Sequence, residues 1–196
     1  NQPISFTPLR GPNQVGNGVH IHMSFIDEHG NPATFDSASA TGLSAVAGSF
    51  VAGILKYLDS IVALTAPSAV SYKRLKPHRW SAAFNNLGFR DREAAVRICP
   101  VSELSDIERA AQYHFEFRAA DAAASPYLQL AALVHAGTQG IEDALPTPLA
   151  IEKDLSSLTD TELVDHGYVK LPPNLECALE LLERNDTVKG WFPNTF

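Results

Sequence analysis

The stretch Gly16-Asn17-Gly18-Val19-His20-Ile21-His22-Met23-Ser24-Phe25 decides how this chain reads. Alternate residues of a β-strand point to the same face. A strand over 18–26 therefore aims His20, His22 and Ser24 at one surface and Ile21, Met23 and Phe25 at the other. The glycines ahead of it leave backbone that can approach a ligand closely. Two imidazoles and a hydroxyl on one face suit a metal and phosphate site. The competing reading is a half-buried strand with a polar outer face.

The bulk numbers bound the class. The 196 residues fit one domain. Apolar content of 45% and charged content of 19% are ordinary for a globular enzyme. A net charge of −7 argues against a nucleic-acid binder. Cys99 and Cys177 form no disulfide framework and no zinc spacing, and read as reduced thiols in a cytoplasmic protein. No uninterrupted apolar run is long enough for a membrane span. Asn1 to Arg10 show no targeting pattern and no initiator Met, which fits an excised piece of a longer chain. The glycosylation-type triplet Asn185-Asp186-Thr187 reads as a chance match in that compartment.

The elements predict an α+β fold, a mostly antiparallel sheet with flanking helices. Asp27 to Asn31 reads as a turn. Thr41 to Leu64 reads as a helix with Leu43, Val46, Ala47, Phe50, Ile54 and Leu58 on its apolar face. Ser71 to Trp80 mixes basic residues, a proline and aromatics, as a surface loop near a ligand does. Glu93 to Cys99 and Tyr113 to Arg118 read as strands. Ser125-Pro126 opens a helix to about Asp143, with Leu128, Ala131, Ala132 and His135 near one stripe. After a proline-containing connection, Pro173 to Glu183 reads as an amphipathic helix with Leu175, Ala178, Leu179 and Leu182 inward.

The charged strands carry the second signal. Period two puts His114, Glu116 and Arg118 on one face and Tyr113, Phe115 and Phe117 on the other. Glu116 beside Arg118 is either a simple ion pair or a cation ligand next to a carboxylate- or phosphate-binding fork. Arg90, Arg92 and Arg97 follow one another closely, as do Lys73, Arg74, Lys76 and Arg79. Clustered arginine in an acidic chain points to small anions, with a solvated loop the alternative for Lys73, Lys76 and Arg79. The sequence holds no Walker loop, no dinucleotide-binding glycine pattern and no Gly-x-Ser-x-Gly elbow. Phosphate handling then falls to arginines and cations.

Taken in order, these segments resemble the catalytic domain of the glutamine synthetase family. Gly16 to Ser24 is similar to its Gly-Ser-Gly-Met-His-x-His-x-Ser segment, and Ser71-Tyr72-Lys73-Arg74-Leu75-x-Pro77 to its Asn-Ser-Tyr-Lys-Arg-Leu-x-Pro loop. Arg92 and Arg97-Ile98 match an Arg-x-x-x-x-Arg-Ile strand. Glu116-Phe117-Arg118 through Asp121, then Ala124-Ser125-Pro126-Tyr127, match Glu-x-Arg-x-x-Asp-x-x-Ala-Asn-Pro-Tyr. The resemblance implies an ATP-dependent ligase. ATP phosphorylates the γ-carboxylate of a glutamate-like acid, and ammonia or an organic amine displaces the phosphate, with Mg²⁺ or Mn²⁺ clamping the nucleotide. It implies His20 and Glu116 as metal ligands, and His22 and Ser24 along the nucleotide. It places Arg74 and Arg118 on the acid's carboxylates, Arg92 and Arg97 at the transferring phosphoryl group, and Gly16 near the substrate amine.

The departures are informative. Trp80 stands where the family carries a Glu that closes the site and takes a proton from ammonium. An organic amine stacked on Trp80 replaces ammonia in that reading. Val15 stands in place of an Asn that contacts glutamate, and His114 in place of an Arg near the nucleotide. Ser156 falls near the position of a Tyr adenylylated in some bacterial members, so that control is not expected here. The remaining metal carboxylates and a small β-grasp domain of the family precede the matching segments. Residues 1–196 are therefore expected to be a carboxy-terminal part of the catalytic domain, inactive alone, exposing apolar surface where the rest docks. A homo-oligomeric parent is implied. A catalytically dead relative that senses amines or amino acids, and kinship to guanidino kinases, are the other readings.

Overall fold

A computed structural model describes residues 2–102 and 105–192. The ends of the domain expected over 1–196, Asn1 and 193–196, lie outside the described residues. In chain order the elements are β1 (Val19–Met23), α1 (Ala45–Thr65), α2 (Ser71–Arg74), β2 (Leu87–Phe89), β3 (Val96–Ile98), α3 (Asp106–Gln112) and β4 (Phe115–Ala120). There follow α4 (Pro126–Glu142), β5 (Ala150–Ile151), α5 (Asp160–Asp165), α6 (Leu175–Arg184) and α7 (Asp186–Gly190).

The sheet has the order β1-β4-β3-β2-β5. β1 and β3 flank β4 antiparallel, while β3, β2 and β5 run parallel. The α+β architecture with flanking helices is as expected, and the sheet is mixed, with its antiparallel half holding the charged strands. One row of the register decides the site: His22 pairs with Glu116, and Glu116 pairs with Arg97 on its other side. Ile21 pairs with Phe117 but Val19 with Ala120, so β4 carries one extra residue opposite His20. Such a bulge re-aims the side chains around it. Phe115, Phe117, Val96 and Ile98 fill the opposite face and pack into the core with α1.

Helix α1 is the core helix. The Ser44 side chain accepts the Ala47 N–H at its start. Its 21 residues are apolar enough to cross a membrane, but 67% of its most apolar window is buried inside the protein. Leu43, Ala47, Phe50, Ile54 and Leu58 are buried as predicted, whereas Val46 is exposed. On α4 the inward stripe is rotated by one position. Gln129, Ala132, Leu133, Ala136, Gly137 and Gly140 are buried, and His135 is exposed. Small residues face α1, so the backbones close together. A Cβ on Gly53 would stand 2.8 Å from the Gly140 Cα. Gly53→Ala is expected to lower stability by about 1–3 kcal/mol through overpacking, read from urea unfolding with an unchanged m-value. The larger residues Tyr127, Leu130, Val134 and Ile141 are left as an exposed apolar face.

Other boundaries differ from expectation. The strand read over 93–99 contracts to β3, and the one read over 113–118 shifts to β4, leaving Tyr113 and His114 ahead of it. The loop read over 71–80 opens with the helical turn α2. Leu179 of α6 is exposed because only Ala178 on that helix is fully buried.

Candidate active site

Glu116 is the centre of the site. Its side chain is 1% exposed in the middle of β4. One oxygen, Oε1, lies 2.9 Å from Nε of Arg97 and accepts a hydrogen bond from Arg118. The Arg97 contact is ionic in character, since the Nε–H is not aligned on the oxygen. The other oxygen, Oε2, faces two imidazoles: Nε2 of His22 at 2.9 Å and Nδ1 of His20 at 3.7 Å. Adjacent strands create this grouping, as the register of β1, β4 and β3 dictates.

Arg118 is held on all sides. Its Nε donates to the Arg92 carbonyl at 3.1 Å and its Nη2 to the same oxygen at 2.7 Å and to the Trp80 carbonyl at 3.2 Å. Nη1 lies 3.4 Å from Nδ1 of His20. Arg74, 3% exposed, donates to Ser81 Oγ at 2.7 Å and the Ala120 carbonyl at 2.9 Å, with Asp121 at 3.9 Å. Its Nε has no hydrogen-bond partner among the described residues. Gly16 makes room for it: a Cβ there would meet Arg74 Cγ at 2.6 Å.

These residues line one cleft of about 440 Å³. Gly16, His20, Arg74, Trp80, Arg92, Arg97 and Arg118, all singled out from sequence, lie on its wall. His22 and Glu116 stand behind it through the contacts above. Ser24 sits one residue past the end of β1, exposed on the His20 side, and does not line the cleft. Arg79, which the sequence left between an anion-binding and a solvated-loop reading, also lines the cleft and donates to the Pro12 and Gln14 carbonyls at 2.8 and 3.4 Å. Its place in the basic run was the available signal. Five arginines on one wall, in a chain of net charge −7, concentrate positive charge in the cleft.

Trp80 is 66% exposed at the cleft rim. His78 and Trp80 both take positive φ, 59° and 52°, unusual for residues with a Cβ. The carboxylate of Glu93, unnoticed from sequence, holds them there by accepting the His78 and Trp80 N–H groups at 2.9 and 3.2 Å.

The environment sets the charge states. Burial opposes ionisation of Glu116, but the Arg118 hydrogen bond and the charges of Arg118 and Arg97 outweigh it and hold its carboxyl below the usual range. Burial, then the Arg118 charge, pushes the His20 imidazole down, with Glu116 opposing. His20 is thus neutral near pH 7, the form that can ligate a cation. Oε2 of Glu116 and Nδ1 of His20 face each other across a gap that a divalent ion can bridge, so the two fit as part of one cation shell.

The family model for the glutamine synthetase catalytic domain matches residues 1–196. The chain belongs to the glutamine synthetase family. Its relatives include a gamma-glutamylpolyamine synthetase, GlnA3, of Streptomyces coelicolor, 39% identical over 173 residues. That match covers 88% of this chain and 36% of the relative. A glutamine synthetase of Clostridium saccharobutylicum is 34% identical over 93% of this chain and 39% of its own length. Among solved structures, a glutamine synthase homolog superimposes with a TM-score of 0.79 at 40% identity, over 95% of this chain and 40% of that one. A GmaS/ADP complex gives 0.78 at 27% identity, over 97% and 42%. This glutamine synthetase-family chain thus spans about four-tenths of the length of these relatives.

Proposed function

We propose that the chain is the carboxy-terminal part of the catalytic domain of an ATP-dependent ligase that forms an amide from a glutamate-like γ-carboxylate and an organic amine. The observation that carries this is the single cleft in which Arg74, Arg79, Arg92, Arg97 and Arg118 converge beside the His20–Glu116 pair. Phosphoryl transfer needs positioning and charge neutralisation more than covalent help. A carboxylate oxygen of the acid attacks the γ-phosphorus of ATP, and ADP departs. The amine nitrogen then attacks the acyl carbon, phosphate leaves, and the nitrogen loses a proton. Arg92, exposed at the cleft, and Arg97 face the phosphoryl group. Arg118 and Arg74, fixed by their own hydrogen bonds, present charge to the acid's carboxylates. A divalent ion, Mg²⁺ or Mn²⁺, held by His20 and Glu116, would neutralise phosphate charge. His22 keeps the Glu116 carboxylate oriented, and Gly16 brings backbone and Arg74 to the acid. Ser24 serves the nucleotide end.

Three features support an organic amine over ammonia. Trp80 offers an exposed ring at the rim. One relative is named for glutamylation of polyamines. Beside the Trp80 loop lies a cavity of about 220 Å³ in which the carboxylates of Asp91, Glu93, Glu152 and Asp154 outnumber Lys153 and His78, and Asn86 Oδ1 has no hydrogen-bond partner among the described residues. Carboxylates there suit the distal ammonium of a diamine. An amine panel read by phosphate release tests this, the diamine exceeding ammonia. Trp80→Glu should shift the ratio of kcat/KM values toward ammonia by about tenfold or more, because a carboxylate can take a proton from ammonium. An unchanged ratio would remove Trp80 from the amine site.

In this reading the parent is a cytoplasmic homo-oligomer, and these residues alone turn over no ATP, since His20 and Glu116 offer too few ligands for two hard cations. A second reading, a sensor of amines or amino acids without turnover, is favoured by the internal saturation of Arg118. Calorimetry with ATP and Mn²⁺ separates the two: heat of nucleotide binding supports the ligase, and its absence supports the sensor.

A further inference from the structure

A second group of ligands lies beside the Glu116 hub, and of its three members only His22 has a part in the function proposed above. His22, Cys99 and His114 each bring one ligating atom within 4.8 Å of the other two. β1 supplies His22, the residue following β3 supplies Cys99, and the residue before β4 supplies His114. The Cys99 Sγ is already 3.8 Å from Nδ1 of His22, and the two imidazole centroids are 5.1 Å apart.

The outer contacts of both histidines are those of metal ligands. His22 turns Nε2 to the Glu116 carboxylate at 2.9 Å, leaving Nδ1 toward the thiol. His114 sets Nδ1 at 2.6 Å from the Gln112 carbonyl. A nitrogen facing a carbonyl oxygen carries the proton, so Nε2 of His114 keeps its lone pair. A ring N–H given to a carboxylate or backbone carbonyl fixes the tautomer and raises the basicity of the other nitrogen. Cys99 is buried and in no disulfide. Burial, and then the charge of Glu116, pushes the Cys99 thiol up, while Arg97, whose Nη2 lies 4.0 Å from the sulfur, opposes in part.

We propose that His22, Cys99 and His114 form a binding site for a thiophilic divalent ion of the zinc class, separate from the hard cation of His20 and Glu116. On binding, the Cys99 thiol gives its proton to solvent and the sulfur and two nitrogens donate electron pairs to the ion. Tetrahedral zinc brings such donor atoms to roughly 3.3–3.6 Å of one another, so the donor atoms must close by about 1.5 Å at most. His22, half exposed, has that freedom. Thiolate and imidazole select zinc over magnesium, which prefers oxygen. The fourth position is open to water.

Cobalt(II) is the probe. Titrated into the intact protein in the presence of excess Mg²⁺, it should give a thiolate-to-cobalt charge-transfer band in the near ultraviolet, which equimolar zinc removes. Cys99→Ser should abolish the band and Cys177→Ser should keep it. His114→Gln, at a half-exposed position, should keep the fold by circular dichroism and weaken cobalt affinity by about tenfold or more. No band, a band that survives Cys99→Ser, or unchanged affinity in His114→Gln would overturn the site. None of these readouts depends on ligase activity.

Discussion

Glu116→Ala is expected to abolish turnover and to cost about 3–5 kcal/mol of stability, because it strands two charges in the interior. Arg97 and Arg118 both lean on Oε1, and the Arg118 side chain is only 3% exposed. Removing the carboxylate therefore leaves a buried guanidinium without its counter-ion, and His20 and His22 lose the oxygen they share. Glu116→Gln separates the two roles. It keeps the volume and an acceptor for arginine, so the loss of stability should be smaller, but it removes the anionic cation ligand, so phosphate release should still fall by at least about a hundredfold. Thermal melts and steady-state assays of the two variants check this. Activity of Glu116→Gln within about twofold of wild type would remove Glu116 from the cation site. The same group predicts acid sensitivity. With divalent ions chelated, the His20 pKa lies below its unfolded value of 6.5, so the unfolded chain binds the extra proton first. Stability should begin to fall as pH drops below that value. Glu116 is also depressed, so its contribution is present above its unfolded value of 4.5 and is lost as pH falls through its folded one. Glu116→Gln should lose the lower part of that dependence.

Arg118→Lys should be nearly as damaging despite conserving charge. Arg118 spends its planar fork on the Arg92 carbonyl, the Trp80 carbonyl and Glu116. An ammonium cannot reproduce that geometry. Loss of charge-assisted hydrogen bonds is expected to cost about 1.5–3 kcal/mol. The functional effect should be larger, since Arg118 ties the Trp80 rim to the cleft floor. KM for the acid should rise and kcat should fall, with kcat/KM down by at least about a hundredfold. A KM for the acid that stays at the wild-type value would show that Arg118 positions the cleft without meeting the carboxylate.

Much of this site was legible in the sequence, for a physical reason. The period of two puts His20 and His22 on one face of β1 and Glu116 and Arg118 on one face of β4. Ordered motifs then bring Gly16, Arg74, Arg92 and Arg97 to the same place. What the period cannot convey is the pairing between strands. The row His22–Glu116–Arg97 and the extra residue of β4 opposite His20 belong to the register. The saturation of Arg118 depends on two carbonyls from distant loops, so residue type alone read it as a free fork. The stripe read on α4 is off by about one position: Ala132 is buried as read, but His135 is exposed. Gly137 and Gly140 mark the contact with α1, and the bulky residues point outward. β2 and β5 were missed because three and two residues are too short for a pattern. Helices α3 and α5 did carry a signal. Ser105 with Glu108, and Thr159 with Glu162, form capping boxes readable as Ser/Thr-x-x-Glu.

The proposed ligase function requires transfer of a phosphoryl group from ATP to a carboxylate in the arginine-lined cleft. The most direct measurement supplies the intact enzyme with ATP, the diamine and a glutamate-like acid whose γ-carboxylate oxygens are heavy-isotope labelled. Mass analysis of the released phosphate should find one labelled oxygen per turnover, carried over when the amine displaces the acyl phosphate. Phosphate without label, released at the same rate whether or not the acid is present, would contradict it.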